Sequence, residues 1–192
     1  MKERLDLIVK NTKGKLLNTE KIFDGGFVKV YKEEYSLPDG RFITKQRISK
    51  NNDKDAAIVI TRTKDNKYII VFQNRTNNIV SAEFPSGYIE PNENILDGAR
   101  REILEETGYF VAKKDIKLLD TVIPNIGTET SKVHIIYANN AYKKSSQKLD
   151  EDEFINYELF TIDELKYLIS NGYMQSSGNK LAFYHLKDIL NI

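Results

Sequence analysis

The sequence predicts a mixed α/β layer fold that carries a small antiparallel β appendage at its N-terminus. β-forming segments flank a tight turn near the N-terminus, one strongly patterned helix lies mid-chain, and strands and helices complete the C-terminal part. The order strands, helix, strands, helices is typical of helices packed on a mixed sheet. We therefore expect an appendage over residues 1–50 and a layered domain over residues 51–192.

The appendage is predicted from a hairpin. Residues 27–36 are rich in β-forming residues, and the Leu-Pro-Asp-Gly sequence at 37–40 places proline and glycine for a tight turn. Residues 41–49 then return as a second strand. The polar stretch 50–54 follows, and we take it as the boundary of the appendage.

The layered domain is predicted from its apolar patterns. Ile95, Ala99 and Ile103 form one stripe of a helix over 95–106, and Gly108 ends this helix. Thr161 is the expected N-cap of a later helix. The remaining predicted elements are strands over 56–61, 68–73, 116–122 and 133–138 and a last helix over 180–190.

Composition excludes several classes of function. The chain has 192 residues, with 29 basic and 28 acidic side chains, so bulk charge gives no reason to expect nucleic-acid or membrane binding. Cysteine is absent, which excludes disulfides and thiolate metal sites. Residues 1–10 alternate in charge without an apolar core, so we expect no signal peptide there and a cytoplasmic protein.

Three carboxylates on the central helix indicate metal-dependent chemistry. Glu102, Glu105 and Glu106, called here the box glutamates, are spaced so that they share one helical face. Like charges this close repel each other, and a hard divalent cation relieves the repulsion because Mg²⁺ and Mn²⁺ prefer carboxylate oxygens. The alternative is a solvated acidic face. Arg101 and Glu93 are placed to pair and to tie the preceding loop to the helix.

The full segment 87–109, GYIEPNENILDGARREILEETGY, resembles the box motif of the Nudix hydrolase family in both residue types and spacing. One departure is Tyr109, where the family usually has an aliphatic residue. The resemblance implies the Nudix fold, an α/β/α sandwich around a mixed β-sheet, and hydrolysis of a nucleoside diphosphate linked to another group. It also implies that the box glutamates bind the metal and that Ser86 contributes its backbone carbonyl.

Outside the box motif, the sequence resembles the ADP-ribose pyrophosphatase branch of this family. Residues 83–90, EFPSGYIE, look like the run that leads into the box of these enzymes, and Pro124 stands where they characteristically have proline. Glu129 stands where many of them have an acidic residue, and we assign it to substrate binding. The N-terminal hairpin resembles a domain that pairs with a second subunit in them, which implies a homodimer.

The acidic loop 149–154, LDEDEF, resembles the segment that carries the general base in these relatives. The expected base is Glu151 or Glu153, and Glu105 is a further candidate catalytic carboxylate. A base on a mobile loop suits a reaction in which water is deprotonated only when substrate and metal are in place. The alternative for this loop is a solvated turn.

Two arginines and one aromatic residue are candidate substrate contacts. Arg75 ends a Gln-x-Arg element, and Arg47 lies in the hairpin. A guanidinium matches phosphate oxygens bidentately, although a surface salt bridge is the alternative for each arginine. Phe27 is a candidate for stacking on adenine, and the alternative is a place in the core or in a dimer interface.

The resemblance to ADP-ribose pyrophosphatases implies a homodimeric, Mg²⁺-dependent enzyme, with Mn²⁺ as a substitute ion, that converts ADP-ribose to AMP and ribose 5-phosphate. Its partners would be small nucleotides, without nucleic acid or membrane. Alternative substrates are GDP-mannose, another nucleotide sugar, a dinucleoside polyphosphate or an oxidised nucleoside triphosphate. A non-catalytic nucleotide sensor is the alternative from another class, but the box glutamates are intact and no basic helix-turn-helix segment is evident.

Overall fold

The computed structural model describes residues 1–151 and 153–192. Its chain forms two compact units. The first unit comprises Met1–Asp53 together with Asn125–Ser131, and the second comprises Lys54–Pro124 together with Lys132–Ile192. The first unit therefore takes in a short segment from the middle of the chain.

The first unit is built on an antiparallel sheet. Helix α1, Lys2–Thr12, precedes the strands β1 (Lys15–Asp24), β2 (Val28–Ser36) and β3 (Phe42–Lys50), which pair in the order β1-β2-β3. The β2–β3 pair confirms the predicted hairpin. Its turn is closed by the Gly40 N–H, which donates to the Leu37 carbonyl at 3.0 Å, and Gly40 has a positive φ of 86° that suits glycine.

Helix α1 and strand β1 are additions to the predicted appendage. The helix has no buried residue, and every residue of β1 is exposed. Because neither element has one buried face, neither produces a clear apolar period in the sequence.

The second unit contains a mixed sheet with the strand order β11-β5-β4-β10-β8. Strand β4 pairs with β10 in parallel, whereas the other pairs are antiparallel. Strands β6, β7 and β9 add to β5, β4 and β10. The strands are β4 (Ala56–Thr63), β5 (Tyr68–Arg75), β6 (Ile79–Glu83), β7 (Ser86–Tyr88), β8 (Tyr109–Phe110), β9 (Ile116–Val122), β10 (Val133–Lys143) and β11 (Ile155–Phe160).

Helices cover both faces of this sheet. They are α2 (Ile95–Thr107), α3 (Ile162–Ser170) and α4 (Ser177–Leu190). On β4, Ala57 and Val59 belong to the core cluster that includes residues of α2, while Ile58 and Ile60 belong to the cluster that includes residues of α3 and α4. Successive side chains of a strand point to opposite faces, so the sheet is buried on both sides. The expected α/β/α sandwich is confirmed.

The predicted strands and helices of this unit are present with small changes in their bounds. Thr161 caps α3 in a reciprocal capping box with Glu164, as expected for its N-cap. Strand β11 and the short strands β6, β7 and β8 were not predicted. Within the described residues, no helix combines the length and the apolar character that crossing a bilayer requires.

Candidate active site on helix α2

Helix α2 is fixed at both ends by residues of its own sequence. The Asn94 side chain accepts a hydrogen bond from the Leu96 N–H at 3.0 Å and so caps the start. Gly108 follows the helix with a φ of 69°, and its N–H donates to the Leu104 carbonyl at 2.8 Å. A Cβ at this position would also overlap the backbone carbonyl oxygen of Ser145, which cannot move aside as the end of a side chain can, so glycine is required sterically as well.

Glu106 is the most buried of the box glutamates. Its relative exposure is 2 %, and its Oε2 accepts a hydrogen bond from the Ser86 N–H at 3.0 Å. Burial raises the pKa of this carboxyl well above its ordinary value, and the charges of Glu102 and Glu153 act in the same direction. The Ser86 hydrogen bond and Arg75 oppose the rise. An additional positive charge at this point would therefore stabilise the ionised carboxylate.

Glu102 lies directly against the glycine that opens the box segment. A Cβ on Gly87 would overlap the Glu102 carboxylate, so residue 87 must lack a side chain for Glu102 to lie here. Burial raises the pKa of Glu102, and the charges of Glu105 and Glu153 add to the rise, while Arg101 opposes it.

Arg101 connects the preceding loop to the box glutamates. Its Nε and Nη2 donate to Glu93 at 3.0 and 2.9 Å, which confirms the predicted pair, and Nη2 also donates to the Tyr88 carbonyl at 2.9 Å. Nη1 donates to Glu102 at 2.7 Å and to Glu105 at 3.0 Å. Such charge-assisted hydrogen bonds fix both the loop and the direction of these carboxylates.

In the acidic loop, Glu153 interacts electrostatically with the box glutamates. The charge of Glu153 contributes to the raised pKa of both Glu102 and Glu106. The Oε2 of Glu153 also accepts a hydrogen bond from the Asp150 N–H at 3.2 Å. Glu151 is exposed. Asp152, which belongs to the predicted loop, lies outside the described residues.

Arg75 forms a bidentate pair with Glu83 beside the same carboxylates. Its Nε and Nη2 donate to the two Glu83 oxygens at 2.8 and 2.6 Å. Glu83 raises the pKa of Arg75 most, and Glu106 contributes as well, so Arg75 belongs to the electrostatic surroundings of the box glutamates. The Arg75 side chain is 46 % exposed and is therefore open to a ligand, whereas Glu83 is 5 % exposed.

The other predicted substrate residues lie in the first unit. Arg47 donates through Nε to Glu33 at 2.8 Å. Glu129 accepts from Lys50 Nζ at 2.8 Å. Phe27 is about half exposed. Arg47 and Glu129 are thus engaged in ion pairs within their own unit.

The donor set of α2 fits a hard divalent cation. In the described residues 1–151 and 153–192, no three acidic or histidine side chains converge as a preformed metal centre. Arg101 draws Glu102 and Glu105 towards itself, whereas Glu106 accepts from the Ser86 N–H. Carboxylate oxygens are nevertheless the ligands that Mg²⁺ and Mn²⁺ prefer, and a buried carboxylate beside like charges is stabilised by such an ion.

Two supporting residues were missed by the sequence analysis. The Asn179 side chain, which is 1 % exposed, accepts from the Phe84 N–H at 2.7 Å and so holds the chain just before Ser86. Gln147 Nε2 donates to the Glu106 carbonyl at 2.6 Å and satisfies a free carbonyl at the end of α2. Both contacts join positions far apart in sequence, so no local sequence pattern predicts them.

Comparison with known proteins gives consistent results. A model of the NUDIX domain matches residues 52–177. A methanol dehydrogenase activator from Bacillus methanolicus is 32% identical over 177 residues, which cover 90% of this chain and 92% of the relative. An ADP-ribose pyrophosphatase from Bacillus subtilis (strain 168) is 30% identical over 183 residues, which cover 93% and 95%. A crystal structure described as an ADP compounds hydrolase has a TM-score of 0.82 at 20% identity, covering 93% of this chain and 95% of that chain, and it supports the fold.

Proposed function

The chain belongs to the Nudix family of hydrolases, and we propose that it cleaves the diphosphate of ADP-ribose or of a related nucleoside diphosphate sugar. The products from ADP-ribose would be AMP and ribose 5-phosphate. The observation that carries this proposal is the buried Glu106 carboxylate, whose pKa is raised by burial and by the neighbouring charges of Glu102 and Glu153. The similarity to an ADP-ribose pyrophosphatase supports the choice of substrate.

Mg²⁺ is the proposed cofactor, with Mn²⁺ as a substitute. The box glutamates would hold it together with the Ser86 carbonyl. When bound, such an ion polarises the diphosphate, lowers the pKa of a coordinated water and stabilises the leaving phosphate. Ion binding would also compensate the repulsion among these carboxylates. Arg101 would then keep Glu93 and the Tyr88 carbonyl, so the loop would stay in place.

Glu153 is our choice for the general base. Glu151 and Glu153 are both exposed, but it is the charge of Glu153 that raises the pKa of Glu102 and of Glu106. A base must come within reach of the attacking water, so this interaction favours Glu153. Glu105 would act as a metal ligand in the catalytic centre. We expect Glu153→Gln to lower kcat far more than Glu151→Gln in the same assay.

Arg75 is proposed to contact substrate because it is partly exposed beside the site. The substrate-binding roles of Arg47, Phe27 and Glu129 stay predictions, as do the homodimer and a cytoplasmic location. Size-exclusion chromatography with light scattering tests the dimer directly.

A substrate screen tests the proposed function. Purified protein is assayed with ADP-ribose, GDP-mannose, NADH and 8-oxo-dGTP, each with Mg²⁺ and with Mn²⁺, and the nucleotide products are identified. We expect the highest kcat/KM for ADP-ribose with Mg²⁺. Glu106→Gln should lower kcat at least roughly 100-fold, the scale of losing one major electrostatic stabiliser. Glu158→Gln changes an exposed glutamate of β11 and serves as the matched control. Unchanged turnover of Glu106→Gln at saturating Mg²⁺ would refute the assignment.

A second candidate function follows from the relative named as a methanol dehydrogenase activator, which is 32% identical to this chain. On this view, the chain would raise the rate of a partner dehydrogenase. The wild-type chain and Glu106→Gln are added to a methanol dehydrogenase assay. A rate increase that Glu106→Gln abolishes would link activation to hydrolysis, whereas no increase with either protein would exclude this function for that dehydrogenase.

A further inference from the structure

A cavity lined by both polar and apolar groups lies next to Arg75 in the second unit. Its volume is about 380 Å³, and its walls include Arg75, Ser81, Glu83, Gln175 and Ser176. Pockets that bind small molecules usually measure about 300–1,000 Å³, so this cavity is large enough for one part of a nucleotide substrate. The walls come from β5, β6 and the connection between α3 and α4.

The cavity has hydrogen-bonding groups that the protein itself leaves available. Ser81 is 5 % exposed, and its hydroxyl makes no hydrogen bond within residues 1–151 and 153–192. The Ser81 Oγ is not among the fully buried unpaired atoms of the described residues, so it is accessible from the cavity and can donate to or accept from a ligand. Gln175 donates through Nε2 to the Gly172 carbonyl at 2.8 Å, which leaves its amide oxygen as an acceptor.

The ion pair in the cavity wall also retains hydrogen-bonding capacity. Glu83 receives two N–H groups of Arg75, and a guanidinium has five N–H donors in all. The charges of Arg75 and Glu83 cancel, so the wall is locally neutral. An uncharged group with hydroxyls, which both donate and accept, matches this wall better than a second phosphate, which would require net positive charge.

We propose that this cavity binds a sugar ring of the substrate through its hydroxyl groups, and that Ser81 and Gln175 determine which sugar is accepted. This inference rests on the proposed hydrolysis of a nucleoside diphosphate sugar. The cavity is well placed for it, because Glu83 in its wall lies three residues before Ser86, whose N–H donates to Glu106 at 3.0 Å, and the scissile diphosphate is proposed to lie at the box glutamates. A hydrogen-bonding site rejects an analogue that lacks the matching hydroxyl, which would give the enzyme its sugar specificity.

The test uses Ser81→Ala and Gln175→Ala with steady-state kinetics on ADP-ribose and Mg²⁺. Losing one neutral hydrogen bond should raise KM about three- to tenfold for each variant, with kcat changed less than about twofold. Ser170→Ala is the matched control, because its hydroxyl lies outside the cavity, donates to carbonyls of its own helix and accepts from Asn171 Nδ2 at 3.2 Å. Calorimetric binding of ADP-ribose in EDTA should show the same weakening without turnover. Thermal unfolding should be nearly unchanged in Ser81→Ala, because the hydroxyl has no protein partner among the described residues.

Analogues distinguish the two sugars that could fill the cavity. ADP-ribose analogues that lack single hydroxyls on the adenosine ribose or on the terminal ribose are compared with each variant. Loss of the Ser81→Ala or Gln175→Ala effect with one analogue supports the inference and identifies the ring. If wild type turns ADP-ribose over and both variants keep its KM within twofold, the cavity assignment is overturned and the proposed function stands. If wild type does not turn ADP-ribose over, the proposed function fails, and the variants are then tested on the nucleotide sugar that it does cleave.

Discussion

Gly87→Ala is the sharpest test of how the box segment positions its carboxylates. In the structure, the Glu102 carboxylate occupies the space that a Cβ at residue 87 would need. Ordinary van der Waals contact begins only at 3.4 Å, so the carboxylate would have to withdraw from the overlap. We take this displacement to be on the order of 1 Å, and a misplacement of that size lowers catalytic rates about 100-fold.

The same substitution should leave the fold nearly intact. The overlapping group is the end of a flexible glutamate side chain, which can yield by leaving its preferred rotamer at a cost of about 0.5–1.5 kcal/mol. For a chain of this size, that cost corresponds to a decrease in Tm of about 1–6 °C. Gly87→Ala should therefore separate activity from stability, with a large fall in kcat and a small fall in Tm.

Kinetics on ADP-ribose and differential scanning fluorimetry measure both effects. Gly127→Ala is the matched control, because a Cβ there would meet nothing nearer than Asn125 Oδ1 at 3.8 Å and the φ is not positive. A Gly87→Ala protein with the kcat of wild type would show that the position of Glu102 does not matter for the reaction. A protein that fails to fold would show that the overlap cannot be relieved by the side chain.

Two further predictions concern Glu106 and Asn179. Burial raises the folded-state pKa of Glu106, so the protonated carboxyl stabilises the fold at low pH and this contribution is lost as the pH rises through the folded-state pKa. In EDTA, the Tm of wild type should therefore fall more than the Tm of Glu106→Gln as the pH rises above the ordinary carboxyl pKa, and equal slopes would contradict this. Asn179→Ala removes the acceptor of the Phe84 N–H and should lower the free energy of unfolding by about 1–3 kcal/mol, whereas exposed Asn156→Ala should not. Urea denaturation measures this difference, and an unchanged midpoint for Asn179→Ala would refute it.

Helix α2 and its role could be predicted because the information is local. Ile95, Ala99 and Ile103 recur at the helical period, and Gly108 supplies the positive φ that ends the helix. The spacing of Arg101 and Glu93 is equally local, and the structure brings them together. Each of these features depends on residues within about five helical turns of one another, so it can be predicted from a short stretch of sequence.

The rest of the site depends on contacts between distant segments. Asn179 reaches the Phe84 N–H, and Gln147 reaches the Glu106 carbonyl, only after the sheet and helices have assembled. Polar side chains of this kind look like surface residues in a sequence. Strand β11 was missed for a related reason, because its burial alternates only weakly. The sequence also did not distinguish Glu151 from Glu153 as the proposed general base, because that choice depends on where the folded chain places the acidic loop.

Arg101 explains how these acidic residues can lie together in a stable protein. Its guanidinium bonds Glu93 on one side and Glu102 and Glu105 on the other, so one cation offsets part of the repulsion on the helix. Within the described residues, the Glu106 carboxylate accepts no hydrogen bond from an arginine. It accepts one from the Ser86 N–H instead. The uncompensated charge is therefore concentrated at the buried end of the helical face, and this is the position at which a divalent ion would gain most from binding.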